Sequence, residues 1–158
     1  MNLKILNTKE ISKILEQIKS QFSIKELSLD FVFLTNEDNK VFISTKDIAK
    51  VDFRNLRINN IGLYFGKLEI DGFRPSIEGS QILGKLAKEN VIEINMEDTK
   101  KWFKGEDLQT NFNNKGYVIL KCKDDFLGSG KIKNNRIINY VDKGRRIRSD
   151  ILYLNKPL

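Results

Sequence analysis

The stretch DDFLGSGKIKNNRIINYVDKGRRIR, residues 124–148, contains two alternating glycines, Gly128 and Gly130, just before a lysine. A nucleotide-binding loop has the spacing G-x-x-x-x-G-K followed by Ser or Thr, because a wide glycine-rich turn must surround the phosphates with N–H groups. Five residues before Gly130 the sequence has Asp125, and Ile132 stands where the hydroxyl belongs. The stretch therefore does not encode a nucleotide loop, and its glycines need another explanation.

The alternation of residue types within this stretch is typical of β-strands. It predicts strands at FLGSGKIK (126–133) and RIINYV (136–141), joined by a turn at the Asn-Asn pair between them. Glycines inside a strand permit a β-bulge or the close approach of another backbone. We therefore expect Gly128 and Gly130 to shape a strand rather than to link a strand to a helix.

The residues before this stretch predict the order strand, helix, strand. NVIEIN (90–95) is strand-like, and Asn95 is placed to cap a helix over MEDTKKWFK (96–104). The acids of that helix lie in its first turn and its lysines toward its end, as the helix dipole favours. Gly105 follows as a C-terminal cap, and GYVILKCK (116–123) predicts a further strand.

The first 88 residues predict another unit of helices and strands. Apolar residues recur at helical spacing over residues 8–20, with Thr8 as the expected N-cap. Two hairpins follow, LSLDFVFL with KVFIS (27–44) and IGLYFGKLEIDGFRPS (61–76), the second with the Asp-Gly pair as its turn. A short helix over SIEGSQILGKLAK ends the unit. Helices and hairpins in this order predict an α+β fold.

The composition excludes most familiar catalytic sites. The 158 residues include no histidine and one cysteine, so neither an imidazole base nor a structural zinc site nor an internal disulfide is expected. We expect no metal and no cofactor. No run approaches the roughly 18 apolar residues of a membrane span, and the first residues lack a signal peptide's apolar core. These features predict a cytoplasmic protein without membrane contact.

The positive charge is concentrated near the end of the chain. The net charge is +7, and residues 121–158 contain ten basic and four acidic residues, a net of +6. The first 120 residues contain 18 basic and 17 acidic residues, a net of +1. This asymmetry indicates a polyanionic partner.

The ordered set of motifs is similar to a known RNA-binding module. The run VIEINMEDTKKWFKGEDL, followed by KGYVILKCKDDFLGSGKIKNNRIINYVDKGRRI, resembles a PUA domain. The motifs GLYFGKLEIDGFRPS, KWFKGE, GSGK and NYVDKGRR resemble, in the same order, the carboxy-terminal region of the Nol/Nop/Sun (Fmu) RNA cytosine-5 methyltransferases. The overall layout also resembles small ribosome-biogenesis factors that join an α/β unit to a PUA domain.

This resemblance implies an N-terminal mixed α/β domain at residues 1–88 and a C-terminal PUA-like β pseudo-barrel, an RNA-binding domain, at residues 89–158. It also implies that the glycine pair lies near an RNA-facing surface. The methyltransferases carry a glycine-rich cofactor loop and a catalytic cysteine after proline, whereas Cys122 follows Lys121 here. We therefore expect the RNA-binding part of such an enzyme, without methyl transfer.

Nine residues are predicted to contact RNA. Three crowd a glycine-containing turn, Lys143, Arg145 and Arg146, and their mutual repulsion favours a bound phosphate over a solvated turn. Tyr140 follows on the same strand face as Arg136 and is a candidate for base stacking. The full set is Lys104, Lys131, Lys133, Arg136, Tyr140, Lys143, Arg145, Arg146 and Arg148.

Two further residues are predicted to be structural. Trp102 lies beside Phe103 on an amphipathic helix, where core packing is favoured over base stacking. Cys122 shares a strand face with Val118 and Leu120, so we expect a small buried hydrophobe rather than a reactive thiol.

The sequence thus favours a non-catalytic protein that binds structured RNA, ribosomal or transfer RNA, in ribosome biogenesis or RNA modification. Phosphate contacts would supply its affinity, and RNA shape its specificity. A second interpretation is an adaptor whose first unit docks an RNA methyltransferase or assembly factor, and a large exposed apolar patch would favour it. A third is an RNA-modifying enzyme, which needs a pocket with a carboxylate or lysine of displaced pKa.

Overall fold

The computed structural model describes residues 2–52 and 61–148 and shows an α+β fold with two five-stranded sheets. The first sheet is antiparallel throughout, and its strands are neighbours in chain order. They are β1 (Lys4–Ile5), β2 (Val32–Thr35), β3 (Lys40–Ser44), β4 (Leu63–Glu69) and β5 (Gly72–Pro75).

The second sheet contains β6 (Val91–Glu93), β7 (Leu108–Gln109), β8 (Gly116–Cys122), β9 (Asp125–Lys133) and β10 (Arg136–Asn139). Their order is β6-β8-β9-β10-β7, in which β6 runs parallel to β8 and the other neighbours are antiparallel. This curled half-barrel is the expected PUA-like pseudo-barrel. The helices are α1 (Thr8–Phe22), α2 (Ile77–Gly84) and α3 (Met96–Phe103), and 3-10 turns lie at Lys46–Lys50 and Lys143–Arg145.

Helix α1 covers one face of the first sheet, where Ile14, Ile18 and Phe22 enter the core. Its cap is Asn7 and not the predicted Thr8. The Asn7 side chain accepts from the backbone N–H of Glu10, and the Glu10 carboxylate accepts from the backbone N–H of Asn7, both at 2.9 Å. This reciprocal pair is a capping box, which satisfies two N–H groups that the helix leaves open.

Helices α2 and α3 begin as predicted, but α2 ends at Gly84, four residues before the end of the predicted segment at Lys88. Ser76 caps α2 by accepting from the N–H of Gly79, and Asn95 caps α3 by accepting from the N–H of Asp98. Gly105 follows α3 with a φ of +91°. A glycine is needed there, because side chains disfavour the left-handed conformation.

Both predicted hairpins are confirmed, with two differences in detail. Strand β2 begins at Val32, so the first part of LSLDFVFL is not a strand. Glu69 pairs with Gly72, so the turn consists of Ile70 and Asp71, and the predicted Asp-Gly turn is wrong by one residue. Strands β1 and β7 were not predicted, because two residues are too short to show a period.

Trp102 is fully buried in the core of the second sheet, as predicted, and Cys122 is buried there too. The indole Nε1 of Trp102 donates to the carbonyl oxygen of Leu127 at 3.2 Å. That carbonyl belongs to a β-bulge in which Leu127 and Gly128 lie opposite Leu120, and Gly128 has a φ of +105°. The predicted bulge is therefore confirmed.

The two sheets pack directly against each other. Val118 and Leu120 of β8 enter the second core, whereas Ile119 between them packs with residues of α1 and α2 in the first. The hydroxyl of Ser129 on β9 donates to the carbonyl of Pro75 at 2.6 Å. A boundary between residues 88 and 89 stays a prediction. Within the described ranges, none of the helices is long and apolar enough to span a membrane.

Candidate functional site

A cleft of about 170 Å³ opens where the two sheets meet. The first sheet contributes side chains of β3, β4 and β5, and the second contributes the bulged part of β9 and the segment after β10. We call it the junction cleft. It is lined by Lys40, Tyr64, Arg74, Pro75, Ser76, Ile77, Gly128, Ser129, Tyr140, Val141, Asp142 and Arg145.

Aromatic rings and cations alternate along the junction cleft. The Arg74 guanidinium lies 4.2 Å from the centroid of the Tyr140 ring, and the Lys40 ammonium lies 5.8 Å from that of Tyr64. Arg74 also pairs with Glu69 at 3.1 Å, which fixes the guanidinium over the ring. Burial raises the pKa of the Tyr64 hydroxyl above its ordinary value, so the hydroxyl stays a neutral donor.

Arg145 enters the junction cleft already paired. Its Nη1 lies 2.5 Å from Oε1 of Glu78 in the first turn of α2. The repulsion among the basic residues at 143–146 is therefore relieved in part from within the protein, and the phosphate contact of Arg145 stays a prediction. The neighbouring Asp142 carboxylate makes no ion pair within the described part of the chain.

Lys131 links the two sheets, although it was predicted to contact RNA. Its ammonium pairs with the Asp71 carboxylate at the β4–β5 turn and lies 5.3 Å from the centroid of the Tyr117 ring. The hydrogen bond lowers the pKa of Asp71 and raises the pKa of Lys131. Burial, reinforced by the Asp71 charge, raises the pKa of Tyr117. Each group therefore keeps its usual charge at neutral pH.

Lys133 and Arg136 flank the Asn-Asn turn at the far end of β10 from the junction cleft. Both turn residues, Asn134 and Asn135, have positive φ, as a two-residue hairpin turn requires. Arg136 pairs with Asp107 at 3.0 Å, whereas the Lys133 side chain is exposed. The four steps along the chain from Arg136 to Tyr140 span about 13 Å of extended chain, so these two cations lie outside the cleft.

Arg146 packs on the end of α3. Its guanidinium lies where a side chain on Gly105 would stand, and its Nε donates to the carbonyl of Val141 at 3.2 Å. The next residue, Ile147, donates its N–H to the carbonyl of Phe103 at 2.8 Å. The chain after the basic turn therefore runs along the C-terminal end of α3, beside Lys104.

Four of the eight predicted cations have exposed side chains that make neither an ion pair nor a side-chain hydrogen bond among residues 2–52 and 61–148. We call them the unpaired cations, and they are Lys104, Lys133, Lys143 and Arg148. Tyr140 is 38% exposed and shares the junction cleft with Arg145. The structure thus divides the predicted site into an outer set that is free to meet phosphate and an inner set that has partners.

Among the residues of the junction cleft that were missed from the sequence, three charged or aromatic ones come from the first sheet: Lys40, Tyr64 and Arg74. They lie in the nearly neutral part of the chain, so the charge asymmetry did not mark them. Their relation to Tyr140 comes from the packing of β4 and β5 against the second sheet. No spacing within the sequence indicates it.

The glycine pair of β9 serves packing. A Cβ on Gly130 would lie 2.4 Å from Cγ2 of Ile137 and 2.9 Å from the Trp102 ring. That the glycine pair lies near an RNA-facing surface stays a prediction. Gly128 forms the bulge against Ile77 and also lines the junction cleft.

Comparisons with known proteins agree with the shape of the second sheet. Residues 89–147 match the family model described as Methyltransferase RsmF PUA domain. The chain is 28% identical over 109 residues to ribosomal RNA small subunit methyltransferase F of Aliivibrio fischeri, an alignment that covers 65% of this chain and 23% of that protein. The corresponding enzyme of Vibrio parahaemolyticus is 26% identical over 137 residues, covering 83% of this chain and 28% of the relative. The chain spans about a quarter of the length of these curated relatives.

Proposed function

We propose that this chain, whose residues 89–147 are a PUA domain of the ribosomal RNA methyltransferase type, binds structured RNA and does not itself catalyse a reaction. Ribosomal RNA is the proposed ligand, because the matched relatives are named for acting on it. Its role is ribosome biogenesis or RNA modification, in the cytoplasm. The domain boundary that goes with this role lies between residues 88 and 89.

The observation that carries the proposal is the coincidence of the PUA match with the unpaired cations. Lys104, Lys133 and Lys143 belong to the matched residues, and Arg148 follows them directly. An exposed cation without an internal partner can neutralise a phosphate and release its counterion at little cost in broken contacts. Phosphate contacts of this kind supply affinity, and recognition of RNA shape supplies the preference over DNA.

The pKa shifts of the Asp71–Lys131 pair, which joins the two sheets, support a non-catalytic role. Proton transfer near neutral pH needs a carboxylate whose pKa is raised or a lysine whose pKa is lowered. The Asp71–Lys131 pair has the opposite shifts, since each charged form stabilises the other. This pair therefore holds the sheets together and is unsuited to proton transfer.

Binding assays at several salt concentrations test the proposal. We expect a structured ribosomal RNA fragment to bind more tightly than duplex DNA of matched length. Lys133→Gln and Lys143→Gln should each reduce the slope of log affinity against log salt by about one. The matched control is Lys13→Gln, which removes the same charge from an exposed position on α1, outside the matched residues. Equal, weak binding of RNA and DNA would contradict the proposal.

The adaptor interpretation is retained as a second proposal on one observation. Several large apolar side chains of the first unit are exposed, among them Phe31 at 40% and Ile70 at 106%. Ile70 lies at the tip of the β4–β5 hairpin, where its apolar side chain is fully exposed to solvent. Co-purification with an RNA methyltransferase or assembly factor that is lost in Ile70→Lys would support this role, and unchanged co-purification would count against it.

A further inference from the structure

We propose that the junction cleft binds one unpaired nucleotide of the RNA, with its base inside the cleft and its phosphate at Lys40. This inference rests on the proposed RNA binding and names the subsite where recognition occurs. It assigns a binding role to Lys40, Tyr64, Arg74 and Asp142, which come from three strands and a loop that are distant in the sequence.

The size of the junction cleft suits a single base. At about 170 Å³ it is smaller than the roughly 300–1,000 Å³ of pockets for drug-sized ligands. It corresponds to about five or six waters at roughly 30 Å³ each. One planar ring system fits such a space, whereas a stacked helix does not.

The walls of the junction cleft offer planar groups. The Arg74 guanidinium already lies over the Tyr140 ring, and Glu69 holds the guanidinium by an ion pair. Unstacked RNA bases are bound by stacking on aromatic rings and on arginine planes. Because the pair is formed before the ligand arrives, little side-chain freedom is lost on binding.

The polar groups of the junction cleft match both parts of a nucleotide. Lys40 makes no ion pair within the described part of the chain, and its ammonium stands beside the Tyr64 ring at the cleft. It is therefore free to meet a phosphate. The Asp142 carboxylate can only accept hydrogen bonds when ionised, so it favours a base with adjacent N–H donors, such as guanine, over uracil. The Tyr64 hydroxyl, which makes no hydrogen bond within the described ranges, supplies a donor.

The position of the junction cleft connects it with the outer basic surface. Asp142 and Arg145 flank Lys143, one of the unpaired cations, in the 3-10 turn after β10. An RNA strand whose phosphate meets Lys143 therefore passes the mouth of the cleft. An unpaired nucleotide at that point of the strand can turn its base inward.

Two RNA probes separate this inference from general RNA binding. The first is a blunt RNA hairpin, and the second is the same hairpin with a short single-stranded extension containing guanines. We expect the extension to tighten binding of the wild-type chain roughly tenfold, as one base stacked on a protein platform does. An abasic residue at one position of the extension should remove that gain, because the phosphate remains while the base is lost.

Variants of residues in the junction cleft then test whether the gain in affinity from the extension arises there. Tyr64→Leu and Asp142→Asn should lose most of it while binding of the blunt hairpin is kept, and Asp142→Asn should reduce the preference for guanine over uracil in the extension. Lys40→Gln is a second, surface variant in case Tyr64→Leu folds poorly, and Lys13→Gln controls for its charge. Lys133→Gln should weaken both probes equally.

The outcomes distinguish the two proposals. If neither hairpin binds, RNA binding by this chain fails and the cleft inference fails with it. If both hairpins bind the wild-type chain equally, RNA binding stands and the cleft inference is overturned. If the extension helps wild type and all three cleft variants alike, the base is bound elsewhere, and the inference is also overturned.

Discussion

The two ends of the stretch at residues 124–148 combine glycine with basic residues, yet they have different roles. Gly128 and Gly130 are buried in β9, and the lysine after them, Lys131, is paired with Asp71. Gly144 lies in an exposed turn where, among the described residues other than its two chain neighbours, no atom lies within 4 Å of an added Cβ, and Lys143 makes no ion pair with any of them. The comparison teaches that net charge in a sequence does not measure the charge available to a ligand. Only the partners of each cation decide that.

The largest expected effect is the difference in stability between variants of Gly130 and of Gly144. Gly130→Ala places a methyl group 2.4 Å from Ile137 and 2.9 Å from Trp102, and the packed second core cannot move far. We expect it to lower the free energy of unfolding by about 3 kcal/mol. Gly144→Ala should change that free energy by less than about 0.5 kcal/mol. Urea unfolding followed by tryptophan fluorescence measures both, and similar losses would show that β9 and the turn are not different environments.

The next effect concerns pH and the Asp71–Lys131 pair. The folded pKa of Asp71 is lowered, so the pair stabilises the fold above the ordinary Asp pKa, and this contribution is lost as pH falls through the lowered pKa. Because the folded pKa of Lys131 is raised, the stabilising contribution of the pair is also lost in alkali, as pH rises through that raised pKa. Because Asp71 is 42% exposed, screening limits the contribution to less than about 1 kcal/mol.

Unfolding of wild type and Asp71→Asn across the acid range measures this contribution. We expect the variant to be less stable at about pH 6 and the difference to vanish well below the ordinary Asp pKa of about 3.9. A difference that does not change with pH would mean that Asp71 acts through the hairpin turn and not through its charge. Asp125→Asn is a control at an exposed position without an ion pair among the described residues.

The smallest effect compares the neighbours Arg145 and Lys143. Arg145→Gln breaks the pair with Glu78 and should cost about 0.5 kcal/mol of unfolding free energy, because the pair is half exposed. Lys143→Gln should cost nothing measurable in stability and yet reduce the salt slope of RNA binding more than Arg145→Gln does. A larger reduction of the salt slope in Arg145→Gln than in Lys143→Gln would show that Arg145 leaves Glu78 and contacts the RNA.

Local signals predicted most of the second sheet. The cap at Asn95, the glycine at Gly105, the Asn-Asn turn and the bulge at Gly128 all follow from rules that act over a few residues. The buried Trp102 followed from the apolar face of one short helix. Thr8 was mistaken for a cap because Asn7 and Thr8 are both good cap residues, and the choice depends on which N–H each oxygen meets.

The candidate site was harder to predict, because it depends on contacts across the chain. The ion pairs of Lys131 with Asp71 and of Arg145 with Glu78 join residues about 60 positions apart. The sequence indicates that these cations exist and where they cluster. It does not indicate which of them the fold neutralises, and so it could not show that Tyr140 faces Arg74 across the sheet junction.

The placement of Ile119 has a consequence for how the molecule unfolds. One strand, β8, contributes alternate side chains to two hydrophobic cores, and the side chain of Asn90, just before β6, donates to the carbonyl of Gln21 at the end of α1. Neither core can unfold without losing β8, against which the other core also packs. We therefore expect the described parts of the chain to unfold in a single cooperative step. A fragment that starts at residue 89 would expose Ile119 and Phe126 to water and would tend to self-associate. We therefore expect residues 89–148 to need the preceding residues in order to remain monodisperse.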